Sequence, residues 1–350
     1  MGKIAVGIVG VTGYTGMELV RLLQYHPYFE LVQVTSRQEA GRALQEIYPF
    51  LEGTSLGLLP ITIPDPELMA RDCDLVFLAV PHGTAMNIAA EFLKLGVKVV
   101  DLSADFRLKD KEVYATWYNV EHTQEEFLQE AVYGLPEIYE ADIAQARLIA
   151  NPGCYPTSAI LALYPALKFE LIDSEQIIID SKSGASGAGR SAKIGTIFCE
   201  VYDNFRAYNL GKHRHTPEIE QELTFACGKE ILVSFSTHLL PINRGILTTV
   251  YAPLKKKSSI DEIINIYKRF YKDKNWIRIL PRNILPETRH VRGTMFCDLG
   301  LVKDERTERL IIVSAIDNLC RGASGQAIAN ANLMYGFDAQ TGLNQSALVP

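Results

Sequence analysis

Residues 3–16 read Lys-Ile-Ala-Val-Gly-Ile-Val-Gly-Val-Thr-Gly-Tyr-Thr-Gly, and they predict how the chain begins to fold. The first seven residues of this stretch are rich in branched apolar side chains, which indicates a buried strand. Glycines follow at positions 10, 13 and 16, and apolar residues then recur at the spacing of an amphipathic helix. A strand, a glycine turn and a helix in this order are typical of a dinucleotide-binding unit, whose helix N-terminus receives a pyrophosphate. The spacing is G-x-x-G-x-x-G rather than the commoner G-x-G-x-x-G, so a plain βα turn is the alternative.

The second predicted strand, residues 31–35, indicates which dinucleotide is bound. Enzymes that use NAD place an acidic residue near the end of this strand, against the ribose 2′-hydroxyl. Here the strand is followed by Ser36 and Arg37. A hydroxyl and a guanidinium suit a 2′-phosphate, so the sequence favours NADP over NAD. The alternative is that Arg37 is an ordinary surface charge.

Two later strands of this first block end in loops with polar residues. Residues 74–80 run into Pro81-His82-Gly83, and residues 97–102 run into Ser103-Ala104-Asp105-Phe106-Arg107. Open α/β sheets bind ligands at the carboxyl ends of their strands. His82 is interpreted as a hydrogen-bonding residue rather than a catalytic one. Asp105 and Arg107 either form a structural ion pair or leave Arg107 to reach an anionic substrate, and both readings stay open.

Residues 151–158 read Asn-Pro-Gly-Cys-Tyr-Pro-Thr-Ser and separate two blocks of different character. Pro152-Gly153 predicts a tight turn, and the apolar run after it predicts a helix. Cys154 is therefore expected at a helix N-terminus, where free N–H groups and the helix dipole favour a thiolate over a thiol. This setting favours a nucleophilic cysteine. The alternative is a buried structural cysteine, which is the usual state of this residue in a cytosolic protein.

The second block alternates apolar and polar residues in long runs, which indicates a largely antiparallel sheet. Its predicted strands cover residues 176–181, 231–240, 246–254, 295–302 and 310–316, with a helix over residues 260–271. Between two strands lies Ser183-Gly184-Ala185-Ser186-Gly187-Ala188-Gly189-Arg190. Its glycines, serines and terminal arginine resemble an anion-binding nest, with a flexible loop as the alternative.

Two histidines of the second block are candidate proton carriers. His213 and His215 precede Thr216-Pro217, which predicts a helix that Thr216 caps. No cysteine or carboxylate cluster accompanies them at ligand spacing, so no metal site is predicted. His215 is interpreted as the proton carrier for Cys154, with a core or surface histidine as the alternative. Near the end of the chain, Asn318 precedes another predicted helix and is a candidate to bond a nicotinamide carboxamide.

Composition and charge exclude several classes of protein. The 350 residues carry a formal net charge of −6, which argues against a nucleic-acid partner. The chain has no apolar run as long as a membrane span, and no signal peptide is predicted at its start. Six cysteines without paired spacing do not form a disulfide framework and predict a reducing compartment, the cytoplasm. The cysteines other than Cys154 are interpreted as structural.

Taken together, these stretches resemble the N-acetyl-γ-glutamyl-phosphate reductases, which belong with the aspartate-semialdehyde and glyceraldehyde-phosphate dehydrogenases. The resemblance covers nearly the whole chain and rests on residues 10–16, 151–156, 183–190, 206–218 and 317–325. It implies an α/β fold, with a Rossmann domain and an α+β domain that has a largely antiparallel sheet. The expected boundaries are 1–153 and 318–350 for the NADP-binding domain, and 154–317 for the catalytic and oligomerisation domain.

The resemblance also implies the chemistry. The Cys154 thiolate attacks an acyl phosphate, phosphate leaves, NADPH reduces the resulting thioester to an aldehyde, and His215 serves the proton transfers, with His213 as the second candidate. The expected cofactor contacts are Gly10, Thr12, Gly13, Tyr14, Thr15, Gly16, Ser36, Arg37, Pro81, Gly184 and Asn318. The expected substrate contacts are Arg107, Asn151, Arg190, Arg206, Tyr208 and His213, and which arginine holds the phosphate stays open. Members of the family assemble as homodimers or homotetramers, so the same is expected here.

Three other functions compete with this prediction. A carrier-protein-linked reductase of lysine biosynthesis would use the same chemistry on another acyl chain. A Cys/His thioesterase or hydrolase would not need the glycine turn at residues 10–16. A non-catalytic dinucleotide sensor would need neither Cys154 nor His215.

Overall fold

The computed structural model of the protein describes residues 2–349 and contains two seven-stranded sheets with helices packed on them. The strands are β1 (Ile4–Val9), β2 (Phe29–Thr35), β3 (Ile61–Thr62), β4 (Leu75–Leu78), β5 (Lys98–Asp101), β6 (Val132–Tyr133), β7 (Leu148–Ala150), β8 (Ile177–Gly184), β9 (Arg206–Tyr208), β10 (Val233–Leu240), β11 (Ile246–Pro253), β12 (Ile277–Ile279), β13 (Cys297–Asp304) and β14 (Arg309–Ile316). The helices are α1 (Tyr14–Leu23), α2 (Leu44–Ile47), α3 (Pro66–Asp72), α4 (Ala85–Lys94), α5 (Lys111–Tyr118), α6 (Glu125–Glu130), α7 (Pro136–Gln145), α8 (Cys154–Lys168), α9 (Phe198–Val201), α10 (Thr216–Cys227), α11 (Ile260–Phe270) and α12 (Gly325–Met334). Short 3₁₀ turns lie at Pro49–Leu51, Leu56–Leu58, Ala185–Ala188, Ile194–Thr196 and Thr288–His290, and a π-helical turn at Cys320–Ser324.

The chain divides into two compact units. The first unit comprises Met1–Pro152 and Ala323–Asn344, and the second comprises Gly153–Gly322 and Gln345–Pro350. The boundaries expected from the sequence put Gly153, residues 318–322 and residues 345–350 in the first unit, whereas this division puts them in the second. The functions assigned to the two units stay predictions.

The first unit is a parallel sheet with the strand order β3-β2-β1-β4-β5-β7-β6. The order changes direction at β1, which pairs with β2 on one side and β4 on the other. Every residue of β4 is buried, as expected for a parallel strand covered by helices on both faces. In a doubly wound sheet the carboxyl end of the strand at this switch point is the usual place for a ligand.

The second unit is a mixed sheet with the strand order β12-β13-β14-β11-β8-β10-β9. Its pairs are antiparallel except for β8 with β10 and β12 with β13. Helix α8 packs on β11 and β14, and buried hydroxyls fix it there. Ser158 of α8 bonds to Thr248 of β11 at 2.9 Å and to Ser314 of β14 at 2.7 Å. A buried hydroxyl network of this kind specifies one helix position more strictly than apolar contacts alone.

The predicted fold class is confirmed, and so is the helix that begins at Cys154. One local expectation is wrong. Thr216 was predicted to cap α10, but it is the first helical residue, and His215 occupies the capping position. No side chain caps the helix there, because Pro217 at the helix start removes one of the N–H groups that a cap would serve. Among residues 2–349, no helix is both long and apolar enough to cross a membrane.

Candidate functional site

The glycine turn of the first unit is tightly packed at Gly10 and Gly16 and open at Gly13. Gly10 has a φ of +89°, and a Cβ there would lie 2.5 Å from the carbonyl oxygen of Ala79. A Cβ on Gly16 would lie 2.7 Å from the carbonyl oxygen of Gly10, so these two glycines are required by the packing of the turn itself. At Gly13, by contrast, a Cβ would meet nothing within 4 Å. Gly13 is the N-cap of α1 and no side chain caps that helix. The helix N-terminus is therefore open to an anion, and the turn fits a dinucleotide pyrophosphate.

The residues after β2 lie beside this turn. The hydroxyl of Ser36 is 3.4 Å from that of Thr12, and it accepts the N–H of Gln38 at 3.3 Å. Ser36 is buried, whereas Arg37 is exposed and lines a cavity of about 200 Å³. The carbonyl of Thr15 accepts a hydrogen bond from Ser324 at 2.8 Å, which ties the start of α1 to the turn before α12. Thr12 and Ser36, two of the residues predicted to contact NADP, thus lie next to each other just after the carboxyl ends of β1 and β2.

The loop after β4 is held by hydrogen bonds within the first unit. His82 Nδ1 accepts the N–H of Ala104 at 2.9 Å, which agrees with its interpretation as a hydrogen-bonding residue. Gly83 has a φ of +79° and donates its N–H to Asp105 at 2.7 Å. Pro81 at the start of the loop is exposed, so it is available to a cofactor as the sequence predicts.

Arg107 and Asn151 are buried, and both are engaged with other parts of the first unit. Arg107 donates to the carbonyl of Asn151 at 2.7 Å and to that of Leu102 at 3.0 Å. The Asn151 amide donates to the carbonyl of Ala323 at 3.1 Å and accepts from Asn330 at 3.1 Å. These contacts hold the carboxyl ends of β5 and β7 in place. The geometry therefore supports a scaffold role for both residues and gives no support to their predicted substrate contacts.

Cys154 is the first residue of α8, which is 15 residues long and has no acidic residue in its first turn. The side chain is only partly buried, unlike Cys73, Cys297 and Cys320, which are fully buried. Burial raises the pKa of Cys73 to about 12, with the nearby carboxylates of Asp72 and Asp74 contributing, so that thiol stays protonated. Of these cysteines, Cys154 combines partial exposure with a helix N-terminus, the setting that favours a nucleophilic thiolate.

A buried carboxylate links the start of α8, called here the cysteine helix because it begins with Cys154, to the start of α10, called here the histidine helix because His215 is its N-cap. Glu218, in the first turn of α10, is 1% exposed and accepts the N–H of Gly153 at 2.8 Å. Gly153 precedes Cys154, and Glu218 lies three residues after His215. The rings of His215 and Tyr155 are also in edge contact, with centroids 5.9 Å apart. The fold thus brings the start of the helix that carries Cys154 next to the start of the helix that follows His215.

His213 has a different environment from His215. It is buried, packs edge-on against Tyr155 and Phe235, and its Nδ1 accepts the N–H of His215 at 3.1 Å. Burial, aided by the nearby charge of Arg214, lowers the pKa of His213 to about 4. The imidazole is therefore neutral near neutral pH and is poorly suited to donate a proton there. Its observed role is to accept a bond from the residue that begins the histidine helix.

Two tyrosine hydroxyls meet beside these histidines. Tyr155 Oη and Tyr208 Oη are 2.7 Å apart. Burial raises the pKa of Tyr208 to about 12 and that of Tyr155 still further, so both phenols are neutral donors near neutral pH. Tyr208 at the end of β9 is partly exposed, which keeps its predicted substrate contact possible. Arg206, two residues earlier, donates to the carbonyl of Gly195, and Arg190 is exposed at the end of its loop.

Gly184 and Asn318 are engaged within the second unit. A Cβ on Gly184 would lie 2.7 Å from the carbonyl oxygen of Asn243, so the glycine is required by close backbone packing. Asn318 is buried, accepts the N–H of Gly245 at 2.7 Å and donates to Ser186 at 3.0 Å. The oxygen and the nitrogen of its side-chain amide thus each have a partner. A bond from Asn318 to a nicotinamide, as predicted, would have to form beside one of these two hydrogen bonds or displace it.

Sequence reasoning missed three residues of this site. The sequence places Glu218 in the first turn of the helix predicted after His215 and Tyr155 in the helix predicted after Cys154, but it assigns neither residue a role in the site. Gly322 lies in the stretch 317–325 that supports the family resemblance, but the sequence does not show that a Cβ there would lie 2.6 Å from Cys154 Cβ. For Glu218 a signal existed, because an acid just after a His-Thr-Pro helix start is available to a neighbouring helix. The other two depend on contacts between distant parts of the chain.

Comparison with known proteins identifies the family. Residues 5–146 match the semialdehyde dehydrogenase NAD-binding domain, and residues 154–318 match the semialdehyde dehydrogenase dimerisation domain. The fold is similar to that of aspartate semialdehyde dehydrogenase II from Vibrio cholerae, with a TM-score of 0.72 and 16% identity over 95% of this chain and 98% of that one.

Two relatives named N-acetyl-gamma-glutamyl-phosphate reductase are much more similar in sequence. The one from Desulfotalea psychrophila is 52% identical over 99% of this chain and 100% of its own length. The one from Pelotomaculum thermopropionicum is 51% identical over 99% of both chains. With this identity over its whole length, the chain belongs to the N-acetyl-gamma-glutamyl-phosphate reductase family, an oxidoreductase family with a semialdehyde dehydrogenase fold and an NAD(P)-binding domain.

Proposed function

We propose that this reductase converts N-acetyl-γ-glutamyl phosphate, NADPH and a proton to N-acetylglutamate semialdehyde, NADP and phosphate, through a thioester on Cys154. The observation that carries the proposal is the bond between Glu218 and the N–H of Gly153, which joins the start of the cysteine helix to the start of the histidine helix. A nucleophile at one helix start and a titratable ring at the other are what covalent acyl transfer requires. The names of the relatives supply the substrate.

Cys154 carries the covalent step. Its sulfur forms a bond to the acyl carbon, the bond from that carbon to the phosphate oxygen breaks, and phosphate leaves with the electron pair. The N-terminal end of α8 stabilises the thiolate before the attack and also when it is expelled again. When bound, NADPH supplies the hydride that reduces the thioester carbonyl. Collapse of the tetrahedral species then releases the aldehyde and restores the Cys154 thiolate.

His215 carries the proton in this proposal. The carbonyl oxygen gains negative charge when either the thiolate or a hydride adds to it, and a positioned acid stabilises that charge. His213 is a positioning residue, because its low pKa keeps it neutral and its Nδ1 accepts the main-chain N–H of His215. The Tyr155 and Tyr208 hydroxyls are neutral donors beside the histidine rings. They are suited to bond a polar group of the substrate without adding a charge.

NADP is proposed in preference to NAD. The open helix N-terminus at Gly13 suits the pyrophosphate of either dinucleotide. The difference comes from Ser36 and Arg37, which follow β2 where enzymes that use NAD carry an acid. Arg37 is exposed and offers a guanidinium to the 2′-phosphate, and the Ser36 hydroxyl lies next to that of Thr12.

The anionic groups of the substrate are assigned to the second unit. Arg190 and Arg206 are the proposed partners of the phosphate and carboxylate, with Tyr208 as a neutral donor. The contacts of Arg107 and Asn151 favour a scaffold role in the first unit instead. We also propose that the chain works as a homodimer or homotetramer, supported by the dimerisation domain matched over residues 154–318. A cytoplasmic location is proposed from the sequence and is supported by the free thiols of all six cysteines.

The reverse reaction offers a direct assay. Purified protein is mixed with N-acetylglutamate semialdehyde, NADP and inorganic phosphate, and NADPH formation is followed by absorbance. The expected result is NADPH formation that requires phosphate, because phosphate must displace the acyl group from Cys154. Formation that continues without phosphate would indicate hydrolysis of the thioester, and no formation at all would contradict the proposed substrate. Aspartate semialdehyde serves as the control substrate and should react far more slowly.

A further inference from the structure

We infer that Asp317 and Arg244 form a positioning device for the nucleophile: their ion pair holds the turn at residues 317–322 against Cys154. This inference rests on the proposed role of Cys154. It concerns two residues of the second unit to which the sequence assigns no individual role. Arg244 lies in the loop between β10 and β11, and Asp317 follows β14 and begins the stretch 317–325 on which the family resemblance rests.

The Asp317 carboxylate is fully buried and is bonded on several sides. It accepts from Arg244 Nη2 at 2.8 Å and Nε at 2.9 Å, and from the main-chain N–H of Gly293 at 2.7 Å. It also accepts the N–H groups of Leu319 and Cys320, each at 2.8 Å. A buried carboxylate needs this many donors to compensate for the water it has lost. In return, it fixes the direction in which the chain leaves β14.

The turn that Asp317 fixes is in contact with the nucleophile. The N–H of Gly322 donates to the carbonyl of Asp317 at 2.9 Å, which closes the turn. At Gly322 a Cβ would lie 2.6 Å from Cys154 Cβ and 3.0 Å from Cys154 Cα. The main chain of the turn therefore passes directly over the first residue of α8, with no space for even a methyl group between them. The position of this turn limits where the Cys154 side chain can move.

The loop that carries Arg244 also forms hydrogen bonds with the loop at residues 183–190, which is rich in glycine and serine. The carbonyl of Asn243 accepts from the N–H of Ser186 at 3.1 Å and from its hydroxyl at 2.6 Å. Gly245 donates to Asn318, whose amide donates to the same Ser186 hydroxyl. Three segments, residues 183–189, 242–245 and 317–322, thus form one hydrogen-bonded network. Because Arg244 is 18% exposed in its side chain, this network includes one cation that solvent can reach.

If this inference is right, a substitution of Arg244 should lower the catalytic rate without weakening cofactor binding or unfolding the protein. Loss of the Arg244 guanidinium should loosen the turn over Cys154 while the glycine turn of the other unit stays intact. Misplacement of a reacting group by about 1 Å can cost about 10²-fold in rate. We therefore expect Arg244→Ala to lower kcat by about that factor while the KM for NADPH stays within about twofold of the wild-type value.

The test combines kinetics with cysteine labelling on the full chain. In Arg244→Ala, iodoacetamide should label Cys154 at least about fivefold faster than in the wild type, because the covering turn is looser. Peptide mass spectrometry should show Cys73, buried in the first unit, still protected, which distinguishes a local change from global unfolding. Guanidinium added to the solution should restore part of kcat, since Arg244 is partly exposed.

Two variants complete the experiment. Arg244→Lys keeps the charge but loses the bidentate geometry, so its kcat should lie between those of Arg244→Ala and the wild type. Arg147→Ala removes a comparable bidentate pair with Glu130, at the amino-terminal end of β7, and should leave kcat and Cys154 labelling unchanged. Wild-type kcat and labelling in Arg244→Ala, or an equal loss in Arg147→Ala, would overturn the inference. Because labelling needs neither substrate nor cofactor, it still tests the turn if the proposed reaction itself proves wrong.

Discussion

Replacing Gly322 by alanine tests how closely the turn before α12 must approach the nucleophile. The added methyl carbon would lie 2.6 Å from Cys154 Cβ and 3.0 Å from Cys154 Cα. Carbon atoms in ordinary contact are about 3.5–4.0 Å apart, so one partner must move by roughly 1 Å. Helix α8 is buried along most of its length, and Asp317 fixes the turn, so neither partner has an easy direction in which to move.

The expected cost of Gly322→Ala is mainly catalytic. A displacement of about 1 Å at the nucleophile should lower kcat by about 10²-fold. Overpacking of this kind typically destabilises a protein by about 1–3 kcal/mol, which should appear as a moderate fall in the melting temperature. The dissociation constant for NADPH, measured by fluorescence titration, should change little, because the glycine turn at residues 10–16 belongs to the first unit.

A second glycine provides the matched control. Gly300 lies in β13, and a Cβ there would be 2.7 Å from Pro286 Cδ, so Gly300→Ala introduces a similar clash away from Cys154. This variant should lose a comparable amount of stability and keep its kcat. If Gly322→Ala keeps kcat within about twofold of the wild type, or if Gly300→Ala loses as much, then the close approach to Cys154 has no special role in catalysis.

Three further predictions concern the cofactor and the two histidines. Arg37→Ala should weaken NADPH binding far more than NADH binding, and equal losses in a fluorescence titration would rule out contact with the 2′-phosphate. His215→Ala should lower kcat at least about 10²-fold, and a larger loss in His213→Ala would reverse the two roles. The lowered pKa of His213 means that protonation opposes folding, so stability should be complete above pH 6.5 and fall as the pH drops towards about 4. A pKa lowered by this amount corresponds to about 3 kcal/mol of unfolding free energy. His213→Asn should reduce the acid-induced fall in unfolding free energy by roughly that much. An unchanged pH profile would show that His213 is not the group responsible.

Local sequence signals predicted the framework of this protein well. The strand, glycine turn and helix at residues 4–23 depend on neighbouring residues only, and the structure shows all three. The helix start at Cys154 was predictable for the same reason, since Pro152-Gly153 and the following apolar run are adjacent in the chain. The run of residues 246–254 likewise predicted a strand of the second sheet, and the structure has β11 at Ile246–Pro253.

The contacts that assemble the site could not be predicted in this way. Glu218 and Gly153 are 65 residues apart, and Arg244 and Asp317 are 73 residues apart. Whether Arg107 meets a substrate or a main-chain carbonyl depends on where Asn151 lies, which a single sequence does not specify. The helix cap at residue 216 was mispredicted because Thr216 and His215 compete for the capping position within one turn. Such choices are decided by packing against the rest of the unit.

The central claim is that Cys154 forms a covalent thioester, and intact-protein mass spectrometry tests it most directly. The protein is mixed with N-acetylglutamyl phosphate in the absence of cofactor, so that an acyl adduct cannot be reduced. We expect one N-acetylglutamyl group on Cys154, located by peptide mapping, and no adduct on a Cys154→Ser variant that still folds and binds NADPH, because a serine hydroxyl is barely ionised at neutral pH. Full turnover with NADPH after Cys154 has been alkylated or replaced by alanine would contradict the mechanism.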